Sequence, residues 1–581
     1  MKTMMRVFGI GLCLLLSIPA IADAQTTSES YSVWIGGHYT DFQDYRKKVG
    51  EFDRGENDFW PELKLNYLST SSDGLFLLDG HFFDDKNILG TVRANVGDRF
   101  SGRFAYRSLI HQQGQDLLQN IEAREWLGTG FGGKILTHEL LDEDADYNVH
   151  RQEILSNVNV LLSEKNNVRL IAAHRTVLKD GTQQNIANSH CFSCHLTSQE
   201  EQVKSQLHEL EAGLQAEVSD VTVGYQFGYR HFESEAPVVE AYYDPAKHPV
   251  NGGSGAEFSS RQVFDDTTVA VGAPPKTEKM SHKLRLKTDL GKGRIAGSAG
   301  YFRTENKNTS LVSDGWTGAL NYSVVLSPKT RFVAKAAGTR LWNDNAEVDL
   351  PDFRAGRPGT ETDYTQTDFD FTRYSSLDRR TMDASAEVIH RMNPKLTVSG
   401  LIGFNQVKRY YYPNPDDFGT SDKIIAQFKA RYRKGLTYST QVKYRFEKTS
   451  DPFTSDRGLF EAVGRDELHP GVNLPAAPYY FFFYYQREDI RYQNITTVPT
   501  DYHEFEFRTT YKPDPKVSVN LGLKAIYDKN GDLDSLDVNH LMFRPHLNLT
   551  LMPSTRATVT AGYTYNHRKS RGPVSVALFD G

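Results

Sequence analysis

A pair of cysteines followed by a histidine is the stretch of this sequence best suited to chemistry. Cys191-Phe-Ser-Cys194-His195 has the C-x-x-C-H spacing, in which two thiols add covalently to the vinyl groups of a c-type haem. The adjacent histidine is then placed to bind the haem iron as its proximal ligand. The motif therefore predicts one covalent haem c, held by Cys191 and Cys194, with His195 on the iron.

Two other chemistries remain open for the same three residues. A disulfide between Cys191 and Cys194, with His195 as a bystander, suits an oxidising compartment. A structural metal site would need two further ligands at cysteine or histidine spacing. The sequence does not single out a second axial ligand for a haem; the histidines considered are His174, His190 and His208, which are nearest in sequence, and His138, His150 and His231.

The N-terminus predicts that the chain is exported. Lys2 and Arg6 precede an apolar run over residues 7–18, and Ala22-Asp23-Ala24 is a small-x-small cleavage site, so residues 1–24 are a predicted signal peptide. Cleavage removes Cys13 and leaves Cys191 and Cys194 as the two cysteines of the mature domain, residues 25–581. Export fits haem attachment, because covalent attachment of haem c takes place in the periplasm.

Residues 210–229 show the alternation that is repeated along much of the chain. Apolar residues such as Leu214 and Tyr225 alternate with polar ones such as Glu211 and Gln226, on either side of a Ser219-Asp220 turn. A period of two places one set of side chains on each face of a β-sheet. One apolar and one charged face fit either a soluble sandwich with a shared core or a membrane barrel with a wet lumen.

Connection lengths favour the membrane barrel. Ten tight turns separate runs of about ten alternating residues, the length that a tilted membrane strand needs. The other connections are long and polar, at about 108–149, 179–204, 234–277, 342–378 and 449–498. Short turns on one side and long loops on the other are typical of outer-membrane barrels. A soluble sandwich or propeller is the alternative, but no blade repeat is found and such loops are unusual in compact domains.

The predicted fold is therefore all-β, a large antiparallel transmembrane barrel with long outer loops in the bacterial outer membrane. Ten turns imply about twenty strands, and a strand at Tyr31 adds one more. Bacterial single-chain barrels have even strand numbers. The expectation is thus about 22 strands, with one strand overlooked or the last strand missing from this sequence, which ends in a predicted loop from Arg571.

Composition supports this class and excludes others. Aromatic residues make up 12% of the chain, with 30 Tyr and 33 Phe, which suits the aromatic girdles of a membrane protein. The net charge of −6 does not indicate a nucleic-acid partner. No Ser/His/Asp arrangement or phosphate-binding glycine loop is recognisable, so the sequence does not predict an enzyme.

The signal peptide, the barrel pattern and the Cys191-x-x-Cys194-His195 motif together resemble the MtrB/PioB-type porins of porin–cytochrome electron conduits. That resemblance implies an outer-membrane porin that sheathes a multihaem c-type cytochrome in its lumen and carries electrons across the membrane. Members of that family often have a C-x-x-C near the mature N-terminus. Here the pair lies at Cys191 and Cys194 instead, which favours a haem of the barrel's own.

Two alternative functions remain. An outer-membrane solute channel would need no redox centre and would carry Cys191 and Cys194 as a disulfide. A siderophore-type receptor would need an N-terminal plug of well over a hundred residues, and strand pattern from Tyr31 onward leaves no room for one. The partners expected for the electron-conduit hypothesis are the lipid bilayer and the multihaem cytochrome.

Overall fold

A computed structural model describes most of the chain. The described residues are 26–42, 46–54, 57–118, 137–188, 195–243, 267–272, 274–350, 353–356, 363–366, 369–375, 377–411, 418–452, 498–530 and 538–572. The predicted signal peptide at residues 1–24, and Cys191 and Cys194, lie outside these ranges.

The described elements are almost all strands. They are β1 (Thr26–Tyr39), α1 (Arg46–Val49), β2 (Phe59–Ser71), β3 (Gly74–Phe82), β4 (Ile88–Val96), β5 (Phe100–Gln112), β6 (Thr137–Leu140), β7 (Asn148–Ser163), β8 (Val168–Asn188), β9 (His195–Val218), β10 (Val221–Ser234), β11 (Val239–Tyr243), β12 (Thr267–Val271), β13 (Thr277–Leu290), β14 (Gly293–Asn306), β15 (Val312–Ser327), β16 (Thr330–Asn343), β17 (Ala346–Leu350), β18 (Phe353–Gly356), β19 (Asp363–Gln366), β20 (Phe369–Arg373), β21 (Arg379–Asn393), β22 (Leu396–Tyr410), β23 (Phe418–Lys434), β24 (Tyr438–Ser450), β25 (Asp501–Asp514), β26 (Val517–Lys529), β27 (Asn539–Ser554), β28 (Ala557–Thr564) and β29 (His567–Arg571). Within the described part of the chain, no helix is long and apolar enough to cross a membrane.

One sheet contains 23 of these strand segments. Its strands pair antiparallel with their neighbours in chain order, except for the short β6, which pairs parallel with β9. The segments β28 and β29 both pair with β27, so the antiparallel meander has 21 strands. The predicted class, a large antiparallel sheet of about 22 strands, is confirmed. Within the described residues, β1 and the β28–β29 edge are not hydrogen-bonded to each other.

The ten tight turns fall where the sequence predicts them, and all ten lie on the same side of the meander. In the hairpin of residues 210–229, Leu210 faces Tyr229 and Leu214 faces Tyr225 across β9 and β10. Ser219 in its turn has a φ of 56°, the left-handed value that two-residue hairpins require. Local turn chemistry therefore sets the register of neighbouring strands.

The sheet curls so that its polar face is concave. A cavity of about 970 Å³ is lined by residues from β9 through β24, which a flat sheet could not bring together. Its charged lining residues are Glu217, Arg285, Lys287, Lys335, Asp383 and Arg445. Most apolar side chains point the other way, and Leu214 and Ile402 are 52% and 70% exposed on the convex face, although Leu401 and Ile425 also line the cavity. The sheet thus has a wet inner wall and an apolar outer surface.

One predicted loop is wrong. The stretch 179–204 was expected to be a long connection, but β8 continues to Asn188 and β9 begins at His195, so only residues 189–194 lie between the strands. The stretch was mistaken for a loop because polar residues, such as Gln183, Gln184 and Glu201, occupy both of its faces. No alternation with apolar residues marks the strands. Main-chain pairing continues there without an apolar face.

A pair of adjacent residues on β15 tests which face meets lipid. Leu320 is 52% exposed and shares the strand parity of the other apolar residues on the convex face, whereas Asn321 has the opposite parity and pairs with Lys335 on the concave side. Leu320→Arg is expected to lower the free energy of unfolding by about 2–4 kcal/mol, the cost of a cation near the bilayer midplane. Asn321→Arg meets water and is expected to cost less than about 1 kcal/mol. Urea unfolding of both variants in vesicles, followed by tryptophan fluorescence, measures the difference; equal costs would contradict the assignment of faces.

Candidate haem-attachment site

Strands β8 and β9 extend past the strands beside them. The pairing of β7 with β8 ends at Thr182, and the pairing of β10 with β9 ends at Ser205. Beyond those points β8 and β9 remain paired to each other as far as Asn188 and Leu196. We call residues 183–188 and 195–204 the arm. At about 3.3 Å per residue, its two strands continue for roughly 20 Å past the last pair with β7 and roughly 33 Å past the last pair with β10.

Most residues of the arm are polar, and its few apolar residues, among them Ile186 and Val203, do not form a continuous apolar face. Gln183 Nε2 donates to Glu201 Oε2 at 2.9 Å, and Asn185 Nδ2 donates to the same oxygen at 3.2 Å. Such cross-strand hydrogen bonds suit a ribbon in water, since a lipid-facing surface would require apolar side chains. The arm lies on the long-loop side, opposite the tight turns, because β8 and β9 are joined there.

Hydrogen bonds within the arm and to the segment at Asp116 hold the arm in place. Gln184 Nε2 donates to Ser198 Oγ at 2.6 Å and to the carbonyl oxygen of Asp116 at 2.8 Å. The Asp116 amide in turn donates to Gln184 Oε1 at 2.7 Å. Ser198 is 1% exposed, so its side of the contact is shielded from water. The arm is therefore a fixed extension of the sheet at this level.

Further contacts come from the loops on either side. The Glu200 amide donates to Asp142 Oδ2 at 2.6 Å, and Gln199 Nε2 donates to the carbonyl oxygen of Glu240 at 2.8 Å. Burial raises the pKa of the nearby Tyr147 phenol, and the Asp142 and Glu200 carboxylates add to the effect. That phenol stays neutral at ordinary pH, so it adds no charge beside the arm.

The C-x-x-C-H motif lies at the end of the arm. Residues 189–194, which include Cys191 and Cys194, connect Asn188 to His195 and lie outside the described residues. Asn188 pairs with Leu196, so the two strands hold both ends of this six-residue connection side by side. His195 is the first residue of β9, although its side chain is not among those described. Two thiols and an imidazole within five residues are the donor set that a c-type haem needs.

Two of the nearest histidines are too far from this end to bind the same iron. His174 and His208 both contact the Thr176 hydroxyl, at 3.1 and 3.0 Å, well inside the sheet. His208 lies thirteen residue steps along β9 from His195, a distance of about 43 Å. These side chains have a structural role on the convex face.

Strand β6 brings a different histidine to the arm. Its backbone pairs parallel with the start of β9, so that Thr137 faces His195 and His138 faces Leu196. His150 instead contacts Ser108 at 2.7 Å, and His231 contacts Glu233 at 3.1 Å. Among the described histidines that the sequence suggested, His138 is the one whose backbone lies beside the motif. Sequence spacing could not show this, because β6 and β9 are far apart in the chain.

Ion-pair networks line the concave wall of the sheet. Glu504 contacts Lys443 at 2.6 Å and Lys524 at 3.0 Å, across three neighbouring strands. Arg175 contacts Glu153 and Glu209 in the same manner, at 2.7 and 3.0 Å. These pairs compensate most of the charge that they place in the lumen, so the wall offers polar groups to water or to a protein surface.

A sheet with an apolar convex face and a polar concave wall is the wall of a transmembrane β-barrel, in which strand pairing satisfies the backbone and lipid meets the apolar side chains. Short turns on one side and long connections on the other assign it to the outer-membrane class. The chain is an outer-membrane β-barrel protein with a polar lumen.

No family model matches this chain, and no curated protein matches it. Among solved structures, it is similar to the FrpB iron transporter from Neisseria meningitidis in its apoprotein form, at a TM-score of 0.42 and 8% identity over 87% of this chain and 79% of that one. The ferric-catecholate import receptor Fiu from E. coli K12 has a TM-score of 0.41 at 8% identity, over 94% of this chain and 82% of its own. The copper transporter OprC has a TM-score of 0.42 at 10% identity, over 91% of this chain and 74% of its own.

Proposed function

We propose that this protein is the porin of an outer-membrane electron conduit. Its lumen would sheathe a multihaem c-type cytochrome, and its arm would carry one haem c on Cys191 and Cys194, with His195 as the proximal ligand. The observation that supports this most is the arm itself, a paired and anchored extension on the long-loop side that ends in the C-x-x-C-H motif.

The roles of the chain's own residues follow from the geometry. In this proposal the strand pairs of the arm would carry the motif on the long-loop side, in water and away from lipid, while the contacts of Gln184 with Ser198 and Asp116 hold the arm in place. A bound c-type haem supplies one-electron transfer. The apolar convex face contacts the hydrocarbon of the bilayer, which does not carry charge. The lumen is therefore electrically insulated from its surroundings.

A single redox centre on the arm cannot carry electrons across the whole thickness of the membrane. The hydrocarbon core is about 30 Å thick, and electron tunnelling falls steeply with distance. A conduit therefore needs further closely spaced centres inside the barrel. The polar, charge-balanced wall is suited to contact a soluble cytochrome, which would bring those centres and fill the lumen.

The proposal is tested on the chain isolated from an outer membrane of cells that mature c-type cytochromes. Haem staining of the denatured chain tests the covalent link, and co-isolation with a multihaem cytochrome tests the sheath. A stained chain together with a multihaem partner is the expected result. An unstained chain that retains both cysteines would overturn the haem assignment, and isolation without any haem protein would overturn the sheath.

A second candidate function is a solute channel with a Cys191–Cys194 disulfide. The observation that favours it is the polar concave wall with its cavity of about 970 Å³, which equally suits a water-filled pore. Uptake of small solutes by vesicles that contain only this chain, together with failure to find a haem partner, would support the channel over the conduit.

A further inference from the structure

One register row on the convex face changes from aromatic to cationic along its length. Each residue in the row is the direct cross-strand partner of the next, from β10 through β22: Phe227, His282, Tyr301, Trp316, Arg340, Arg380 and Lys408. The row lies on the same face as Leu320 and Ile402, because it shares their parity on β15 and β22. Its side chains therefore point toward the bilayer and not into the lumen.

The aromatic half of the row marks the membrane interface. The rings of Tyr301 and Trp316 lie 4.8 Å apart, those of His282 and Tyr301 lie 6.4 Å apart, and Trp316 is 55% exposed. Tyrosine and tryptophan concentrate at the level of lipid headgroups. Barrel strands are tilted, so a row that runs across them also changes depth in the membrane. The cationic half therefore continues from the interface into the headgroup layer on the long-loop side.

Three cations stand side by side in that layer. Arg340 faces Arg380 across β16 and β21, and Arg380 faces Lys408 across β21 and β22. Side chains opposed in this way have Cβ atoms about 4.5–5.5 Å apart, and like charges at that spacing repel. Within the described residues, neither Arg380 nor Lys408 forms an ion pair, and Arg340 has one carboxylate, Asp378, at 3.7 Å.

Asp378 can compensate only one of the three positive charges. This residue lies in the turn before β21, where burial raises the pKa of its carboxyl group. The trio therefore keeps an excess of positive charge at a surface where water gives way to lipid. An anion that contacts all three residues would remove the repulsion.

The cations are held in place before any ligand binds. Arg340 Cζ lies 3.6 Å from the centre of the Tyr410 ring, and Lys408 Nζ lies 3.3 Å from the centre of the Phe418 ring. Arg380 Nη2 donates to Gln406 Oε1 at 3.3 Å. Side chains that are already ordered lose less conformational entropy on binding, which favours affinity.

We propose that Arg340, Arg380 and Lys408 form a binding site for the phosphate of an anionic lipid headgroup in the leaflet on the long-loop side. Arginine forks and a lysine ammonium are the groups that bind phosphate oxygens best. Basic clusters at the membrane interface recognise such headgroups. The ligand is a lipid and not a free phosphate, because the site continues into the aromatic and apolar surface that would receive the glycerol and acyl chains.

The test titrates the full chain in detergent with dioleoyl phosphatidylglycerol and, separately, with dioleoyl phosphatidylcholine, and counts bound lipids by native mass spectrometry. We expect phosphatidylglycerol to bind more tightly than phosphatidylcholine. In Arg380→Gln/Lys408→Gln, affinity for phosphatidylglycerol is expected to fall at least about tenfold, since each interfacial cation contributes severalfold. Affinity for phosphatidylcholine is expected to change less than about twofold.

Two control variants make the result specific. Arg285→Gln/Lys287→Gln removes the same charge from the lumen wall and is expected to leave lipid binding unchanged. Arg380→Lys/Lys408→Arg keeps the charge and is expected to retain affinity within about threefold. Equal losses in the lumen variant and in Arg380→Gln/Lys408→Gln would overturn the site, as would unchanged phosphatidylglycerol affinity in the latter or free inorganic phosphate competing at equal concentration.

Discussion

The Cys191→Ser/Cys194→Ser variant is expected to lose its covalent haem completely while it folds into membranes as well as the parent chain. The thioether bonds require both thiols, so no partial attachment that survives denaturation is expected. The barrel itself is unaffected, because the motif lies beyond the last pair of β8 and β9, Asn188 with Leu196, and the sheet's register does not depend on it.

The measurement is haem absorbance and intact mass of the denatured chain, with urea unfolding in vesicles as the check on folding. Ser193→Ala is the matched control, because it alters the same connection and leaves C-x-x-C-H intact; it is expected to keep its haem. A double-serine variant that still carries covalent haem would contradict the assignment. So would a parent chain, matured in the same cells, that holds a Cys191–Cys194 disulfide.

Bound cytochrome is expected to lower the ionic conductance of the barrel more than tenfold. In a planar bilayer the chain alone should pass ions, because its concave wall is polar and carries compensated charges such as Glu504 with Lys443 and Lys524. Large barrels need an occupant to stop such leakage. A sheathed multihaem cytochrome would supply it by filling the lumen.

Single-channel recordings before and after addition of the purified cytochrome measure this effect. A monohaem cytochrome of similar charge is the control and should leave the conductance unchanged, since it cannot fill the bore. Unchanged conductance with the multihaem protein would contradict the sheath. A chain that is already closed when isolated without haem protein would contradict it as well.

Most of the fold could be predicted from the sequence because its signals are local. The turn at Ser219 and the alternation around Leu214 and Tyr225 are each contained within a few residues, and the structure confirms both. A strand that has one apolar and one polar face can be recognised in the sequence by its two-residue alternation of apolar and polar residues. The same logic explains why the tight turns were placed correctly while the pairing of the edge strands was not predictable.

The arm was missed because its strands lack that period. Gln183, Gln184 and Glu201 are polar on both faces, so the stretch resembles a loop although its backbone pairs as a ribbon. The contact of β6 with the start of β9 was also beyond prediction, since it joins segments more than fifty residues apart through four backbone pairs. The sequence predicted the chemistry of the site, a haem attached at the C-x-x-C-H motif. It could not predict the paired strands and neighbouring segments that hold the motif.

The three cations Arg340, Arg380 and Lys408 also could not be recognised as a site from the sequence. Arg340, Arg380 and Lys408 are unremarkable charged residues in the sequence, and only the register of β16, β21 and β22 places them side by side. No local turn sets the register of two strands that are joined by a long connection such as residues 344–378. Sites built from such rows are therefore visible only once the pairing is known.

Electron transfer across a sealed membrane distinguishes an electron conduit from a plain channel. Vesicles that enclose a soluble electron acceptor are prepared with the chain and its cytochrome, with either alone, and with the Cys191→Ser/Cys194→Ser chain plus cytochrome, and a membrane-impermeant reductant is added outside. The account predicts fast reduction of the acceptor with the parent chain and cytochrome together, and none with either alone. It also predicts slower reduction with the double-serine chain when the reductant is on the arm side. Reduction by the chain without cytochrome, or none with both present, would contradict the conduit.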